Sequence, residues 1–247
     1  MSATLTVNSF IKSVESMFRA RSRWEVWSDL ITMLSCTIAN AVQFKQSREE
    51  MYLNVMKHYP GEADRERMIA AATEYFRLVD ADPFKDHLGE SYMRLELGNS
   101  NAGQFFTPYS VCQMMAEVTV ENLTKHIEEK GFVTVNDCAC GGGATLIAAA
   151  EAMHKRGVNY QQKAFFVGQD IDFSVGQMCF VQLSMLGCAG YVHIGNTLTD
   201  PMTGGVLFGD GKDSTWYTPM YFHETWAFRR TFAKMDALLQ AGKGVAK

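Results

Sequence analysis

Phe132-Val133-Thr134-Val135-Asn136-Asp137-Cys138-Ala139-Cys140-Gly141-Gly142-Gly143-Ala144-Thr145-Leu146-Ile147 passes from an apolar run through a cluster of glycines into a second apolar run. Phe132 to Asn136 is a short β-branched run, the glycines interrupt it, and Ala144 to about Arg156 has the composition of a helix. A glycine-rich turn between strand and helix lets a ligand approach the backbone closely, beside the unpaired N–H groups of the helix N-terminus. Dinucleotide-binding folds place G-x-G-x-x-G at such a turn. This chain keeps Gly141-x-Gly143 but has Leu146 at the third position. Asp137 at the strand tip suits a ligand with a positive ammonium group, and a cationic amino acid joined to adenosine fits both features. The competing reading is that the glycines serve only the geometry of the turn.

The same rhythm continues downstream. Ala164 to Val167 is a second apolar run, followed by an apolar-rich helix through Leu186, and Tyr191 to Ile194 is a third run. A fourth strand is expected at Gly205-Val206-Leu207-Phe208 and a last helix from about Tyr221 to Leu239. Strands alternating with helices imply an α/β fold with a parallel sheet covered on both faces. Ligands of such sheets bind outside the carboxyl ends of the strands. The second strand ends in Gly168-Gln169-Asp170-Ile171-Asp172. Asp170 there suits a pair of ribose hydroxyls, and Asp172 suits a helix cap. The third ends in His193-Ile194-Gly195-Asn196-Thr197-Leu198. Asn196 either takes a hydrogen bond from an adenine amino group or serves as a turn residue.

Upstream of about residue 100 the pattern is helical. Trp24, Trp27, Ile31, Leu34, Ile38 and Val42 recur at helical spacing between Arg23 and Phe44. Glu49 to Tyr59 and Glu62 to Val79 read as two further helices, and Asp82 with Pro83 as the cap and first position of another. The polar stretch Gly98-Asn99-Ser100-Asn101-Ala102-Gly103 is the expected boundary, dividing a helical region, 1–98, from an α/β domain, 99–247.

Composition limits the partners. The 247 residues are 47% apolar and 20% charged, with a formal net charge of -4. That suits one sizeable core with a helical appendage. A protein that holds DNA alone more often has a basic surplus, because phosphate neutralisation supplies most non-specific affinity. The balance argues against this chain being the whole of a DNA-binding machine, while leaving room for a local basic face. Arg19, Arg21 and Arg23 form one small cluster, which a solvated helix end explains as well. Cys138-x-Cys140 has no second Cys or His pair at ligand spacing, so no metal is expected and these thiols are read as small, free and buried. No basic-then-apolar leader and no run near the ~20 apolar residues of a membrane span are present, so a cytoplasmic setting and no membrane partner are expected.

Four segments in order carry a resemblance. Gly103-Gln104-Phe105-Phe106-Thr107-Pro108, Asp137-x-Ala139-Cys140-Gly141-x-Gly143, Gly168-Gln169-Asp170-Ile171-Asp172 and Gly195-Asn196-Thr197-Leu198 resemble the adenine-N6 DNA methyltransferases. The modification subunits of type I restriction systems are the members most like it, and the likeness covers roughly residues 85 to 200. The resemblance implies a Rossmann-like S-adenosylmethionine methyltransferase fold with a shortened sheet, preceded by an N-terminal helical region. It implies S-adenosylmethionine as cofactor, with Phe106, Thr107 and Pro108 lining its methionine end and Asp137 meeting its ammonium group. Ala139, Gly141 and Gly143 are then the backbone cradle, Asp170 meets the ribose with Ile171 counted in the same site, and Asn196, where the family usually has Asp, meets the adenine.

Amine-methylating members carry N/D-P-P-F/Y after the fourth strand. The polar residue and a backbone carbonyl accept hydrogen bonds from the target amine, while the aromatic ring stacks on a flipped base. The best match here is Thr218-Pro219-Met220-Tyr221, which makes Thr218, Pro219 and Tyr221 the expected catalytic residues. The plain alternative is that this segment opens the last helix. The implied activity is methylation of the adenine N6 amino group in DNA by direct displacement. Two alternatives stand: a cofactor-binding but inactive relative acting as a regulatory or interaction subunit, and a methyltransferase for RNA, protein or a small molecule. No target-recognition domain is evident, so either a separate specificity or partner subunit supplies sequence choice or binding is loose.

Overall fold

The computed structural model describes residues 6–18, 21–98, 106–120, 123–202 and 205–244. Arg19, most of the expected boundary stretch and Gly103-Gln104-Phe105 lie outside the described residues. Helices α1 (Val7–Glu15), α2 (Arg23–Val42), α3 (Gln46–Met56), α4 (Glu62–Ala81) and α5 (His87–Arg94) form the N-terminal part. α2 starts at a reciprocal cap: the Ser22 hydroxyl oxygen accepts the Glu25 N–H, and the Glu25 carboxylate accepts the Ser22 N–H. Two of the helix's orphan donors are satisfied in this way. Asp82 closes α4 instead of capping the next helix. The His87 ring nitrogen Nε2 lies 2.7 Å from the Asp82 carbonyl, which holds the intervening residues as bends. The cap of α5 is therefore Asp86, whose carboxylate accepts the Gly89 N–H at 2.9 Å.

α6 (Tyr109–Val120) and α7 (Leu123–Lys130) lead into the sheet. Next come β1 (Val133–Asp137), α8 (Ala144–Lys155), the short α9 (Tyr160–Lys163), β2 (Ala164–Asp170), α10 (Phe173–Met185) and β3 (Ala189–Ile194). β4 (Thr215–Tyr217), a 3-10 turn at Pro219–Phe222 and α11 (Glu224–Gly244) complete the order. The sheet order is β1-β2-β3-β4, with the first three strands parallel and β4 antiparallel to β3. This is the expected Rossmann-like α/β arrangement with a short sheet behind N-terminal helices. The fourth strand is not at 205–208. A turn hydrogen bond joins Phe208 N–H to the Gly205 carbonyl, and the Tyr191 and Tyr217 hydroxyls take the carbonyls of Val206 and Phe208.

Alternation along the strands sends Val133, Phe166 and Val192 into the larger core and Phe165, Val167 and Tyr191 into a smaller one closed by Trp226. α10 is buried from Ser174 to Leu183 because the sheet lies on one side and α2 on the other. Thr32 of α2 donates to Gln177 Oε1 of α10 at 3.0 Å, so the helical region and the sheet share one core. Arg48 is 97% covered, stacks 4.8 Å from the Trp216 ring and donates to the carbonyls of Gln43 and Thr215, which ties α3 to β4. Among the described residues no helix is long and apolar enough to cross a membrane.

Candidate functional site

β1, β2 and β3 all end at one edge of the sheet, and the glycine turn after β1 folds over it. The Cys140 N–H donates to the Gln169 carbonyl at 2.9 Å, and the Gly141 N–H donates to Asp170 Oδ2 at 2.8 Å. The turn is thus drawn onto the tip of β2. Gly141 and Gly143 have φ of +54° and +98°, left-handed values that favour glycine. Gly143 is the residue from which α8 starts. A side chain at Gly141 would meet Phe106 Cε1 at 3.3 Å. Phe106 also packs against Tyr92, with ring centroids 5.4 Å apart, so the Phe-Thr-Pro segment sits directly over the glycine turn. Pro108 opens α6 with its carbonyl, which accepts the N–H groups of Val111 and Cys112, while Thr107 is exposed.

Two carboxylates stand at the strand tips. Asp137 accepts the Ala139 N–H at 3.0 Å and the Thr145 hydroxyl, which fixes both ends of the turn. Asp170 accepts from Gly141 and, at 3.0 Å, from the Asp172 N–H. Burial pushes the Asp170 carboxyl above its ordinary value, and those two N–H donors offset the effect only in part. A ligand offering hydroxyl donors would stabilise its charged form further. Asp172 caps α10 by accepting the Val175 N–H, as expected, and Ile171 is 69% exposed at the tip between the two aspartates. Cys140 is buried, but Cys138, expected to be buried, is exposed. Its backbone has a use instead: the Thr197 hydroxyl donates to the Cys138 carbonyl at 2.6 Å and joins the third loop to the first.

Asn196 follows Gly195, whose N–H donates to the Asp170 carbonyl at 2.8 Å. Its side-chain oxygen accepts the Leu198 N–H at 2.9 Å, so the residue makes the turn that was one of its two readings. The loop beyond it is closed by fully buried His193, with Nε2 3.1 Å from Asp200 Oδ2 and Nδ1 2.9 Å from Thr215 Oγ1. Lys212 Nζ bridges Asp200 at 2.7 Å and Asp210 at 3.3 Å. Lys212 first, then His193, holds the Asp200 carboxyl below its ordinary value. A cavity of about 260 Å³ lined by Asn136, Cys138, Gln169, Tyr191, Thr197 and Met202 opens on the other face of the sheet, beside the same edge.

One support was not read from the sequence. Gln182 of α10 donates from Nε2 to the Gly142 carbonyl and to Asp86 Oδ1, both at 2.7 Å, and its Oε1 accepts the Leu88 N–H at 3.1 Å. A glutamine inside a helix otherwise full of apolar residues is the available signal, because buried polar groups need partners. Burial pushes the Asp86 carboxyl up, with Gln182 and the Gly89 N–H opposing. A carboxyl raised in the folded state contributes its stability fully below its unfolded pKa and loses it as pH rises through the folded value. Asp86→Asn keeps the shape and removes that loss. It is expected to melt above the wild type at about pH 8, with the gap closing toward about pH 4, in thermal melts at both conditions. A gap that widens toward acid overturns this account.

Thr218, Pro219 and Tyr221 are not brought to this edge. The Thr218 N–H donates to the Gly190 carbonyl at 3.0 Å, at the start of β3, roughly 13 Å along the strand from its tip at Ile194. The Thr218 hydroxyl is fully buried, donates to the Cys188 carbonyl at 2.7 Å and accepts the Gly190 N–H at 3.1 Å. Pro219 opens the 3-10 turn, and Tyr221 is buried with the Arg230 guanidinium 3.7 Å from its ring centroid. The amine-orienting segment was expected beside the glycine turn, but β4 runs away from that edge in its antiparallel register, so Thr218 to Tyr221 lie at the opposite end of β3.

A family model described as N-6 DNA methylase matches residues 86–228, more than half of the chain. No curated protein matches the chain. The match starts at Asp86, the residue whose carboxylate joins α5 to the glycine turn through Gln182.

Proposed function

Because the chain belongs to the N-6 DNA methylase family, we propose that it binds S-adenosylmethionine at the edge formed by Asp137, Gly141 and Asp170 and methylates the N6 amino group of adenine in DNA. The observation that carries this reading is the convergence of Phe106, the glycine turn and Asp170, segments distant in sequence, on one strand edge. The donor set fits the cofactor. It has one carboxylate for an ammonium group, one for a diol, a backbone turn closed to side chains, and exposed Ile171 for an apolar ring face. In this reading Asp137 pairs with the ammonium group while it holds Ala139, and Ala139, Gly141 and Gly143 present backbone. Asp170 orients the ribose and Asn196 borders the adenine. Phe106, Thr107 and Pro108 wall the methionine end. When bound, the cofactor supplies an electrophilic methyl group. The chain's residues contribute position and charge. DNA is then the partner, with sequence choice from a separate subunit in a cytoplasmic restriction-modification setting.

One placement favours a second reading, a cofactor-binding but inactive subunit: the Thr218–Tyr221 segment lies at the far end of β3. The test is transfer of label from radiolabelled S-adenosylmethionine to DNA lacking adenine methylation, by the purified chain. Label recovered as N6-methyladenine supports the enzyme. Cofactor bound without transfer points to an absent partner subunit or to the second reading. Thr218→Val, which strands the buried Gly190 N–H, is expected to lower stability by about 1–3 kcal/mol while leaving cofactor affinity within about twofold. Loss of affinity in a folded Thr218→Val protein would return that segment to the site.

A further inference from the structure

We propose that α11 pairs with the same helix of a second copy of this chain, antiparallel and across a two-fold axis. One face of α11 is already committed. Trp226 and Ala233 pack into the smaller core, and the Trp226 Nε1–H donates to the Gln161 carbonyl at 2.8 Å. Arg229 donates to the carbonyls of Gln162 at 2.6 Å and Gly131 at 3.2 Å, which fastens the helix across the starts of β1 and β2. At about 100° per residue, the face half a turn away carries Phe228, Phe232, Met235 and Leu239, with Leu238 beside them. These five side chains are 72%, 63%, 56%, 64% and 72% exposed.

A helix docked on a globular core ordinarily turns charge outward, and one that is apolar on both sides has partners on both. The five side chains expose on the order of 600 Å² together, at the top of the range that a lone soluble protein leaves as one patch. Two copies face to face remove at most roughly 1,200 Å² from water, the lower end of the range for a specific interface. Charge borders the stripe without crossing its centre: Arg230 is turned onto Tyr221, Lys234 lies 5.4 Å from the Phe208 ring centroid, and Asp236 shares a rim pocket with Phe228, Phe232 and Lys130.

The spacing chooses the second copy as occupant. From Phe228 to Phe232, Met235 and Leu239 the steps alternate as in a helix seam and read the same from either end. A two-fold axis midway between Phe232 and Met235 sets Phe232 against Met235 of the partner subunit and Phe228 against Leu239 of the partner subunit. Each aromatic ring then meets a thioether or a branched aliphatic of matching reach.

The test is sedimentation equilibrium of the full chain over roughly two decades of concentration. The wild type is expected to reach twice the monomer mass, and Phe232→Glu with Leu239→Glu to stay monomeric. Both positions are exposed, so at concentrations where the wild type is itself monomeric the thermal midpoint and cofactor binding should not change. A wild type that stays monomeric throughout overturns the proposal, and so does a double variant that still dimerises. Direction is read by cross-linking with the exposed thiol removed by Cys138→Ser. An oxidised mixture of Phe228→Cys and Leu239→Cys chains should join them to each other. Phe228→Cys chains that join among themselves instead overturn the antiparallel arrangement.

Discussion

Alanine at position 190 is expected to leave little folded protein. Gly190 lies inside β3 at φ +156°, opposite Phe166 in the register with β2. A Cβ there would sit 1.8 Å from the Phe166 carbonyl oxygen and 2.7 Å from its carbon. Both are backbone atoms of a paired strand, so no rotamer relieves the contact and β2 and β3 must separate. Gly190 cannot retreat the other way, because its N–H and carbonyl are both bonded to Thr218. The expected cost is about 4 kcal/mol or more, a large part of the 5–15 kcal/mol that holds a domain together. In a thermal melt that is a fall of about 10 °C or more, or loss of soluble protein. Gly131 is the contrast: its φ is +79°, but nothing lies within 4 Å of an added Cβ. Gly131→Ala should cost only about 1 kcal/mol. Equal effects at the two positions would mean that the close approach of β3 to β2 is not what requires glycine at 190.

What the sequence made legible was local. The glycine turn could be read because Gly141 and Gly143 lie beside the strand they end and adopt the positive φ that such a turn requires. Asp170 could be placed because a strand tip is recognisable from a few apolar residues before it. Failures came where position depends on distant pairing. β4 has three residues, too few to show alternation, and the more apolar run at 205–208 is a turn pinned by two tyrosine hydroxyls. The segment after it matched a motif in residue type, yet the antiparallel register of β4 on β3 carries Thr218 to the wrong end of the sheet. Gln182 and Asp86, which hold the glycine turn from beneath, are 96 residues apart. Asp82 was the expected cap, but Asp86 takes that place by accepting the Gly89 N–H, while the His87 ring holds the Asp82 carbonyl. The residues proposed for the cofactor rest on short-range signals, whereas those expected to orient the amine depended on long-range register.

Asparagine at position 137 should separate two ligands that differ at one end. Asn keeps one acceptor oxygen for the Ala139 N–H and preserves the shape beside Thr145, so the turn is expected to hold. What it loses is charge. A hydrogen bond to a charged group is worth about 1.5–3 kcal/mol, so affinity for S-adenosylhomocysteine should fall roughly 10- to 150-fold in titration calorimetry. Methylthioadenosine lacks the amino acid, and its affinity should change by less than about twofold. Asp170→Asn should behave differently. It weakens the hold on a ribose that both ligands share, so both affinities fall together. A uniform loss in Asp137→Asn would mean that the turn collapsed when its carboxylate was removed. No loss for either ligand would take the ammonium group away from Asp137 and the cofactor away from this orientation. The crossed pattern, selective at 137 and common at 170, is the result that only an amino acid joined to a nucleoside, lying from one strand tip to the next, can produce.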